Sequence, residues 1–246
     1  MDLVNWSRTG RSAVGLGSPR GREGKAVEFG ILGPLQVVDD GQAIAIGGRK
    51  LQSLMALLIL NANRVVTTDR LLDELWGDDA AGREKTLWVY ISRLRAALGE
   101  RDILVTRDHG YSLLIGPDDL DASRFETMVA AGRVLMSNDP ARASQLLSDG
   151  LALWRGPAFE EFSYEDFAQA EIVRLEELRS LAVEDRIEAD LKLGRSGELI
   201  SELESLHRAY PTRERLVSQL MLALYRSGRQ IDSLAVFRRY RLHLVE

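Results

Sequence analysis

The chain has 246 residues, of which 45% are hydrophobic and 28% charged, values that are ordinary for a globular protein of one or two domains. It contains no cysteine, which excludes a disulfide framework and a cysteine-bound zinc site and suits a reducing cytoplasm. Its formal net charge of −5 argues against a uniformly basic nucleic-acid-binding protein, and no apolar run reaches the ~18 residues that span a bilayer.

Residues 1–26 contain five glycines, scattered arginines and no helix or strand periodicity. They also lack the apolar segment of a signal peptide. This composition predicts a disordered leading segment, and its net charge of +3 leaves open a basic tail that contacts DNA. We therefore expect a cytoplasmic protein without membrane contact.

Residues 27–82 alternate short β-rich runs with apolar or amphipathic helices. The predicted elements, in chain order, are strand-like runs within 28–46, a strongly apolar helix over 50–60, a short strand over 65–67, a helix over 69–76 and a turn over 77–82. Thr67 or Thr68 is the expected N-cap of the helix at 69–76, because a threonine hydroxyl accepts a hydrogen bond from the first turn.

The segment 83–98 has the pattern of a helix with two distinct faces. An apolar stripe recurs at i, i+4, i+7 and i+11, through Leu87, Ile91, Leu94 and Leu98. The opposite face and its shoulders combine long cations, small residues and one indole: Lys85, Thr86, Trp88, Val89, Ser92, Arg93, Arg95 and Ala96. Such a face suits a DNA major groove, where slim side chains lie beside base edges and cations bond to guanine and phosphate. A basic, solvated surface helix is the alternative.

Charge is concentrated on this helix. Residues 27–116 carry ten cations against twelve anions, yet residues 82–95 carry four cations against one anion. We therefore expect modest non-specific affinity for DNA, since that affinity grows with the number of phosphates neutralised.

Two β-rich runs follow, at 103–106 and 111–115, and flank a polar turn at 107–110. This pattern predicts a hairpin. A basic helix followed by a small hairpin is the layout of a winged helix-turn-helix, in which the hairpin, or wing, lies along the DNA backbone or minor groove. Arg107 lies where a wing cation would contact DNA, whereas Asp108 would repel phosphate.

From residue 117 onward the sequence predicts helices only. They are expected at about 121–136, 139–154, 164–193, 198–209, 212–227 and 230–245. An internal repeat appears at an offset of 34, which pairs Ala189 with Ala223, Leu191 with Tyr225, Gly194–Arg195 with Gly228–Arg229, Ile200 with Leu234, and Leu203 with Phe237. Paired helices with this period are typical of tetratricopeptide repeats, which usually bind protein.

Signatures of catalysis and metal binding are absent from the sequence. It holds neither a phosphate-binding GxxxxGK[ST] loop nor an HExxH motif, and His109, His207 and His243 fall in different predicted elements. We expect no catalytic residue, no metal site and no cofactor, and hence no enzymatic activity.

Five segments carry a resemblance to a known family, the SARPs or Streptomyces antibiotic regulatory proteins. They are GILGPLQV at 30–37, GGRK at 47–50, LLDELW at 71–76, KTLWVYISRLRAALG at 85–99 and VTRDHGYSLL at 105–114. The resemblance implies an OmpR/PhoB-type winged helix-turn-helix DNA-binding domain at 27–116. It also implies a bacterial transcriptional activator domain, tetratricopeptide-like and all-α, at 117–246. The expected fold is thus mainly α with small β.

The resemblance also implies a function. We expect a sequence-specific transcriptional activator of antibiotic biosynthesis genes, associated with the nucleoid, that binds direct repeats in double-stranded DNA near the −35 region. Copies would lie side by side, about 10–11 base pairs apart, and recruit RNA polymerase holoenzyme.

Individual residues receive expected roles from the same resemblance. Arg93, and next Lys85 and Thr86, would contact or flank bases, with Val89 and Ser92 on the same face. Phosphate contacts are expected from Arg83, Arg95 and Arg107. Tyr90 and Tyr111 would pack, or give a single hydroxyl contact to phosphate. Trp88 departs from the small or polar residue that the family favours, so it would either alter base preference or pack sideways on the protein.

One alternative function and one expectation about chain length remain. The exposed Trp88 and Val89 would also suit a protein-interaction scaffold whose winged helix docks on protein. In addition, the amphipathic helix at 234–245 ends without a glycine or a polar tail. We therefore expect a longer protein, because family members continue further and large ones carry an ATPase or a phosphopeptide-binding module.

Overall fold

The structure is a computed structural model that describes residues 27–99 and 101–243. The described part is mainly helical with two small sheets, so the expected fold class is confirmed. The predicted leading segment, 1–26, lies outside the described residues.

The first sheet is an antiparallel meander of three short strands. It consists of β1 (Glu28–Gly30), β2 (Gln36–Asp39) and β3 (Gln42–Ala43), in that order. Asp40 and Gly41 connect β2 to β3, and both have positive φ (48° and 79°). A two-residue hairpin turn of type I′ requires this conformation at both positions, which explains the Asp-Gly pair.

The helix-turn-helix follows this sheet. It comprises α1 (Arg49–Leu60), β4 (Val66–Thr67), α2 (Thr68–Trp76), a 3₁₀ turn (Gly77–Asp79) and α3 (Glu84–Ala97). Of the two candidate caps, Thr67 is the one used: its hydroxyl accepts a hydrogen bond from the Arg70 N–H at 3.3 Å. The apolar side of α1 is buried along nearly its whole length, from Leu51 to Ile59.

The wing is a hairpin of β5 (Leu104–Arg107) and β6 (Gly110–Leu113), with β4 on the other side of β6. The antiparallel register pairs Thr106 with Tyr111 and Arg107 with Gly110. A Cβ atom on Gly110 would lie 1.9 Å from the Val66 carbonyl oxygen, so only glycine fits where β4 closes on β6.

The remaining elements are helices, as the sequence predicts. They are α4 (Asp121–Leu135), α5 (Pro140–Leu151), α6 (Asp166–Lys192), α7 (Ser196–Ala209), α8 (Glu214–Arg226) and α9 (Gln230–His243), with a 3₁₀ turn at Glu160–Phe162. None of the helices within 27–99 and 101–243 combines the length and the hydropathy that a membrane-spanning segment requires.

The repeat at an offset of 34 is confirmed by matching backbone geometry. Gly194 and Gly228 both adopt positive φ, at 81° and 77°, where α6 turns into α7 and α8 turns into α9. The residue after each glycine donates its N–H to an equivalent carbonyl, Arg195 to Asp190 at 3.1 Å and Arg229 to Leu224 at 2.9 Å. Two helical hairpins of the same kind therefore stack in sequence.

The two repeats differ in burial. Ile200 and Leu203 of α7 are buried, whereas their equivalents on α9, Leu234 and Phe237, are 54% and 46% exposed. The apolar residues of α7 pack against α8 and the end of α6. In the described part of the chain, α9 buries Val236 in the same core and leaves Leu234 and Phe237 largely exposed.

A single apolar core crosses the predicted boundary between residues 116 and 117. It runs from Val27 through the winged helix to Ala189 on α6, and a second core joins the end of α6 to α7, α8 and α9. Arg49 of α1 bonds to Glu165 at 2.8 Å, and its guanidinium lies 5.0 Å from the ring centroid of Phe162. The winged helix therefore packs directly on α4 and α6.

Residues 31–35 make the hydrogen bonds that hold this interface together. The Asp121 carboxylate, 3% exposed, accepts the N–H groups of Ile31 at 2.9 Å and Leu32 at 3.1 Å, and also bonds to Arg155 at 3.0 Å. The Arg155 N–H donates to the Leu32 carbonyl at 2.7 Å. Glu161 accepts the Leu35 N–H at 3.0 Å. The run at 30–37 thus serves packing between the two halves.

Buried acids on α6 hold its neighbouring helices. Asp190 accepts from Ser144 of α5 at 2.8 Å and from Arg195 at 3.0 Å. Asp185 bonds at 2.6 Å to Arg133 of α4 and to Arg215 of α8. Buried charges need such partners, so these acids are tied to specific positions on three other helices.

Candidate nucleic-acid interface

The inner face of α3 is the stripe that the sequence predicts. Leu87, Ile91 and Leu94 are buried against the rest of the winged helix, and Leu98 is buried directly after the helix ends. Because this stripe fixes the rotation of α3 about its axis, the positions on the opposite side must face outward.

The outer face carries the predicted base-contacting positions. Lys85, Ser92 and Arg93 are exposed, and Thr86 is half-buried at the edge. Trp88 is 64% exposed and Val89 48% exposed, so the indole lies on the outer face instead of packing sideways. All six residues lie within about two turns of one helix face.

Aromatic stacking holds α3 against α2. The rings of Trp76 and Tyr90 have centroids 5.9 Å apart and planes at 24°. Tyr90 is half-buried in this contact, which favours packing among the two roles expected for it. The stack joins the end of α2 to the middle of α3.

The wing is tied to both helices of the motif. Arg95 of α3 donates from Nε to the Leu104 carbonyl at 2.9 Å and from a terminal nitrogen to the Thr106 hydroxyl at 2.8 Å. The Thr68 N–H, at the start of α2, donates to the His109 carbonyl in the wing turn at 2.9 Å. Arg95 therefore has a structural contact that sequence reasoning missed, because nothing in the pattern of a helix shows which hairpin strand it meets.

Four cations surround the outer face without a partner. Within residues 27–99 and 101–243, no ion pair or side-chain hydrogen bond engages Arg83, Lys85, Arg93 or Arg107, and all four are exposed. Most arginines of the helical half are paired with acids, as Arg174 is with Glu126. These four unpaired charges thus lie where the sequence predicts DNA contact, while Arg64, after α1, is exposed and unpaired elsewhere in the described part of the winged helix.

Tyr111 differs from the other predicted contacts. It lies on β6, pairs with Val66 and Thr106 in the sheet, and is only 7% exposed. Its ring belongs to the core beneath the wing. The structure favours its packing role over a phosphate contact.

No group of three or more histidines, cysteines or acids within the described ranges is arranged to hold a metal ion. The chemistry that this surface offers is therefore that of exposed cations, two small polar side chains and one apolar pair. Surface chemistry of this kind suits a polyanion and the edges of a groove.

Comparisons with known proteins agree with the fold and identify the family. Residues 41–113 match the family model described as "Transcriptional regulatory protein, C terminal", and residues 120–246 match "Bacterial transcriptional activator domain". The regulatory protein DnrI of Streptomyces peucetius is 36% identical over 231 residues, which cover 89% of this chain and 85% of DnrI. The chain belongs to the SARP family of transcriptional regulators.

Other relatives extend well beyond the matched region. The regulatory protein AfsR of Streptomyces coelicolor is 38% identical over 87% of this chain but only 22% of AfsR. The solved structure of Mycobacterium tuberculosis EmbR in complex with a low affinity phosphopeptide superposes with a TM-score of 0.83 at 34% identity, covering 89% of this chain and 59% of that one. The chain spans less than two thirds of the length of the first curated relatives that it matches.

Proposed function

We propose that this SARP binds double-stranded DNA sequence-specifically through the outer face of α3 and the wing, and thereby activates transcription. The observation that carries the proposal is the set of four exposed, unpaired cations around that face. They lie in a region whose net charge is −2. Unpaired cations on one side of an otherwise acidic region favour docking of a polyanion in one orientation.

The contacts divide by position. Arg93 points outward from the middle of α3 and is proposed to bond to a guanine edge, with Lys85, Thr86 and Ser92 flanking it. Arg83 precedes α3 and Arg107 ends β5, so these two are proposed to hold phosphates on either side of the groove.

Arg95 is proposed to act on DNA mainly through the wing. Two of its nitrogens already bond to β5, so its guanidinium fixes the hairpin beside α3. We keep a phosphate contact from its remaining N–H groups as a secondary role.

The small number of exposed cations limits the affinity of a single copy for promoter DNA. Few neutralised phosphates give weak binding by a single copy. We infer that copies bind side by side on direct repeats about 10–11 base pairs apart, near the −35 region, so that successive α3 helices lie on one face of the DNA. Antibiotic biosynthesis genes are the proposed targets, and membership of the family of antibiotic regulatory proteins supports this.

The helical half is proposed to be the partner-binding part. We infer that 27–116 forms the DNA-binding domain and that 117–246 forms the activator domain, which contacts RNA polymerase holoenzyme beside the nucleoid DNA. The stacked hairpins of α6 to α9 support this, since repeats of this kind present extended surfaces for protein. Catalysis has no part in the proposal.

A random-library DNA selection with the whole chain at about 0.15 M salt tests the proposal, because non-specific phosphate contacts are weakened at that salt concentration. Enrichment of one short word, repeated at helical-turn spacing, would support it. Recovery of unenriched DNA with weak, salt-sensitive binding would refute it.

A second candidate function is a scaffold whose winged helix docks on protein. The exposed Trp88 and Val89 favour it, because an apolar pair on a helix face is common at protein interfaces. The same selection separates the two functions, since a scaffold would enrich no DNA sequence.

A further inference from the structure

Trp88 is the most exposed large hydrophobic side chain in the described part of 27–116. Val89, its neighbour in the chain, is also about half exposed. Contiguous apolar surface of this kind marks a binding site more often than an isolated exposed residue does. The roles proposed above for the four cations, Arg93 among them, leave this apolar pair without a role.

The rotation of α3 keeps the pair outside the core. Leu87 and Ile91 occupy the buried side, and the stack of Tyr90 on Trp76 holds the helix against α2. Trp88 therefore cannot turn inward without displacing residues that are already packed. The apolar pair is a fixed feature of the outer face.

Unpaired cations flank the pair along the helix. Lys85 lies one turn before it and Arg93 one turn after it, at the i−4 and i+4 positions of Val89. An apolar protein partner would have to leave these charges unpaired in the interface or supply acids for both. A DNA groove supplies phosphates for them and leaves the pair facing base edges.

The major groove offers one apolar group, the C5-methyl of thymine. We propose that Trp88 and Val89 form a contact site for thymine methyl groups and so add a thymine to the sequence that Arg93 specifies. This inference rests on the proposed function, since it needs α3 to lie in the groove. One helical turn is about 5.4 Å and successive base pairs are about 3.4 Å apart. The thymine is therefore expected within one or two base pairs of the guanine.

Deoxyuridine substitution tests the proposal directly. In the site obtained by library selection, each thymine is replaced in turn by deoxyuridine, which removes the methyl group and keeps every hydrogen-bonding group. Affinity of the whole chain is measured by fluorescence anisotropy at about 0.15 M salt. Loss of one buried methyl contact is expected to weaken binding by about three- to fivefold at one or two positions.

Two variants assign the effect to the apolar pair. In Trp88→Gln, the thymine and uracil versions of the site should bind equally, because the methyl group has lost its partner. Val134→Gln, which changes an exposed apolar residue on α4 outside the winged helix, should keep the full sensitivity to uracil. Circular dichroism establishes that both variants are folded.

The outcomes separate this inference from the proposed function. Selection that enriches no sequence refutes DNA recognition itself. Specific binding in which thymine and uracil are equivalent at every position overturns the inference and leaves the proposed function standing. Uracil sensitivity that persists in Trp88→Gln also overturns it.

Discussion

Replacing Asp121 by alanine should destabilise the whole chain, because its carboxylate fastens the winged helix to the helical half. The substitution leaves the buried N–H groups of Ile31 and Leu32 without an acceptor. Each unsatisfied buried group costs about 1–3 kcal/mol. Arg155 also loses its partner but is one third exposed and turns to water. The expected loss is about 3–5 kcal/mol, which is large against a typical stability of about 5–15 kcal/mol.

Urea unfolding at pH 7, analysed by linear extrapolation, measures this loss. Asp121→Asn should cost less than Asp121→Ala, because the amide oxygen still accepts one hydrogen bond. Asp118→Ala is the matched control: Asp118 is exposed in the same connection, and surface changes are usually within about 0.5 kcal/mol. A free energy of unfolding for Asp121→Ala within 1 kcal/mol of the unmodified chain would refute the reasoning.

Three further predictions concern the wing. Gly110→Ala should lower the free energy of unfolding by more than about 2 kcal/mol and weaken DNA binding, because the new Cβ would overlap the Val66 carbonyl. Urea unfolding and fluorescence anisotropy measure the two effects. Gly47→Ala is the control and should be neutral in both assays, because a Cβ at Gly47 would meet open space. Arg95→Ala should weaken binding to cognate and random DNA by the same factor, since it loosens the wing and contacts no base; a selective loss on cognate DNA would contradict this. Arg107→Ala should reduce the slope of log affinity against log salt by about 1, and an unchanged slope would show that Arg107 does not hold a phosphate.

The buried and exposed faces of α3 can be predicted from the sequence, because both are set by residues close together in the chain. A stripe at i, i+4, i+7 and i+11 sets which side is buried, and the rest of the helix follows from geometry. The wing can be predicted in the same way, since two β-rich runs around a short polar turn rarely form any structure other than a hairpin. The repeat was found because Gly194 and Gly228 mark the same turn 34 residues apart.

The hydrogen bonds that join the two halves cannot be predicted from the sequence, because the bonded residues are far apart along the chain. Asp121 bonds to residues 90 and 89 positions earlier, and Glu161 bonds to a residue 126 positions earlier. In the sequence each is simply an acid near a helix start or in a turn, which fits a solvated position equally well. Arg95 poses the same difficulty, since only the folded wing shows which carbonyl its guanidinium meets.

The shared core also bears on the division into domains. A boundary at 116 and 117 rests on a change from mixed elements to helices only, and this change says nothing about contact. Residues from both sides of that boundary contribute to one apolar core. The division into 27–116 and 117–246 stays a prediction, and the DNA-binding experiments are best made on the whole chain.

The central claim is that the outer face of α3 recognises a DNA sequence, and Arg93→Ala tests it most directly. Affinities for the selected site and for random DNA are compared with those of the unmodified chain, with Arg142→Ala, an exposed arginine on α5, as the matched loss of charge. Arg93→Ala should cost about 1–3 kcal/mol on the selected site and much less on random DNA, with specificity relaxed at one base pair. An equal loss on both DNAs would contradict base recognition by Arg93 and with it the account of α3.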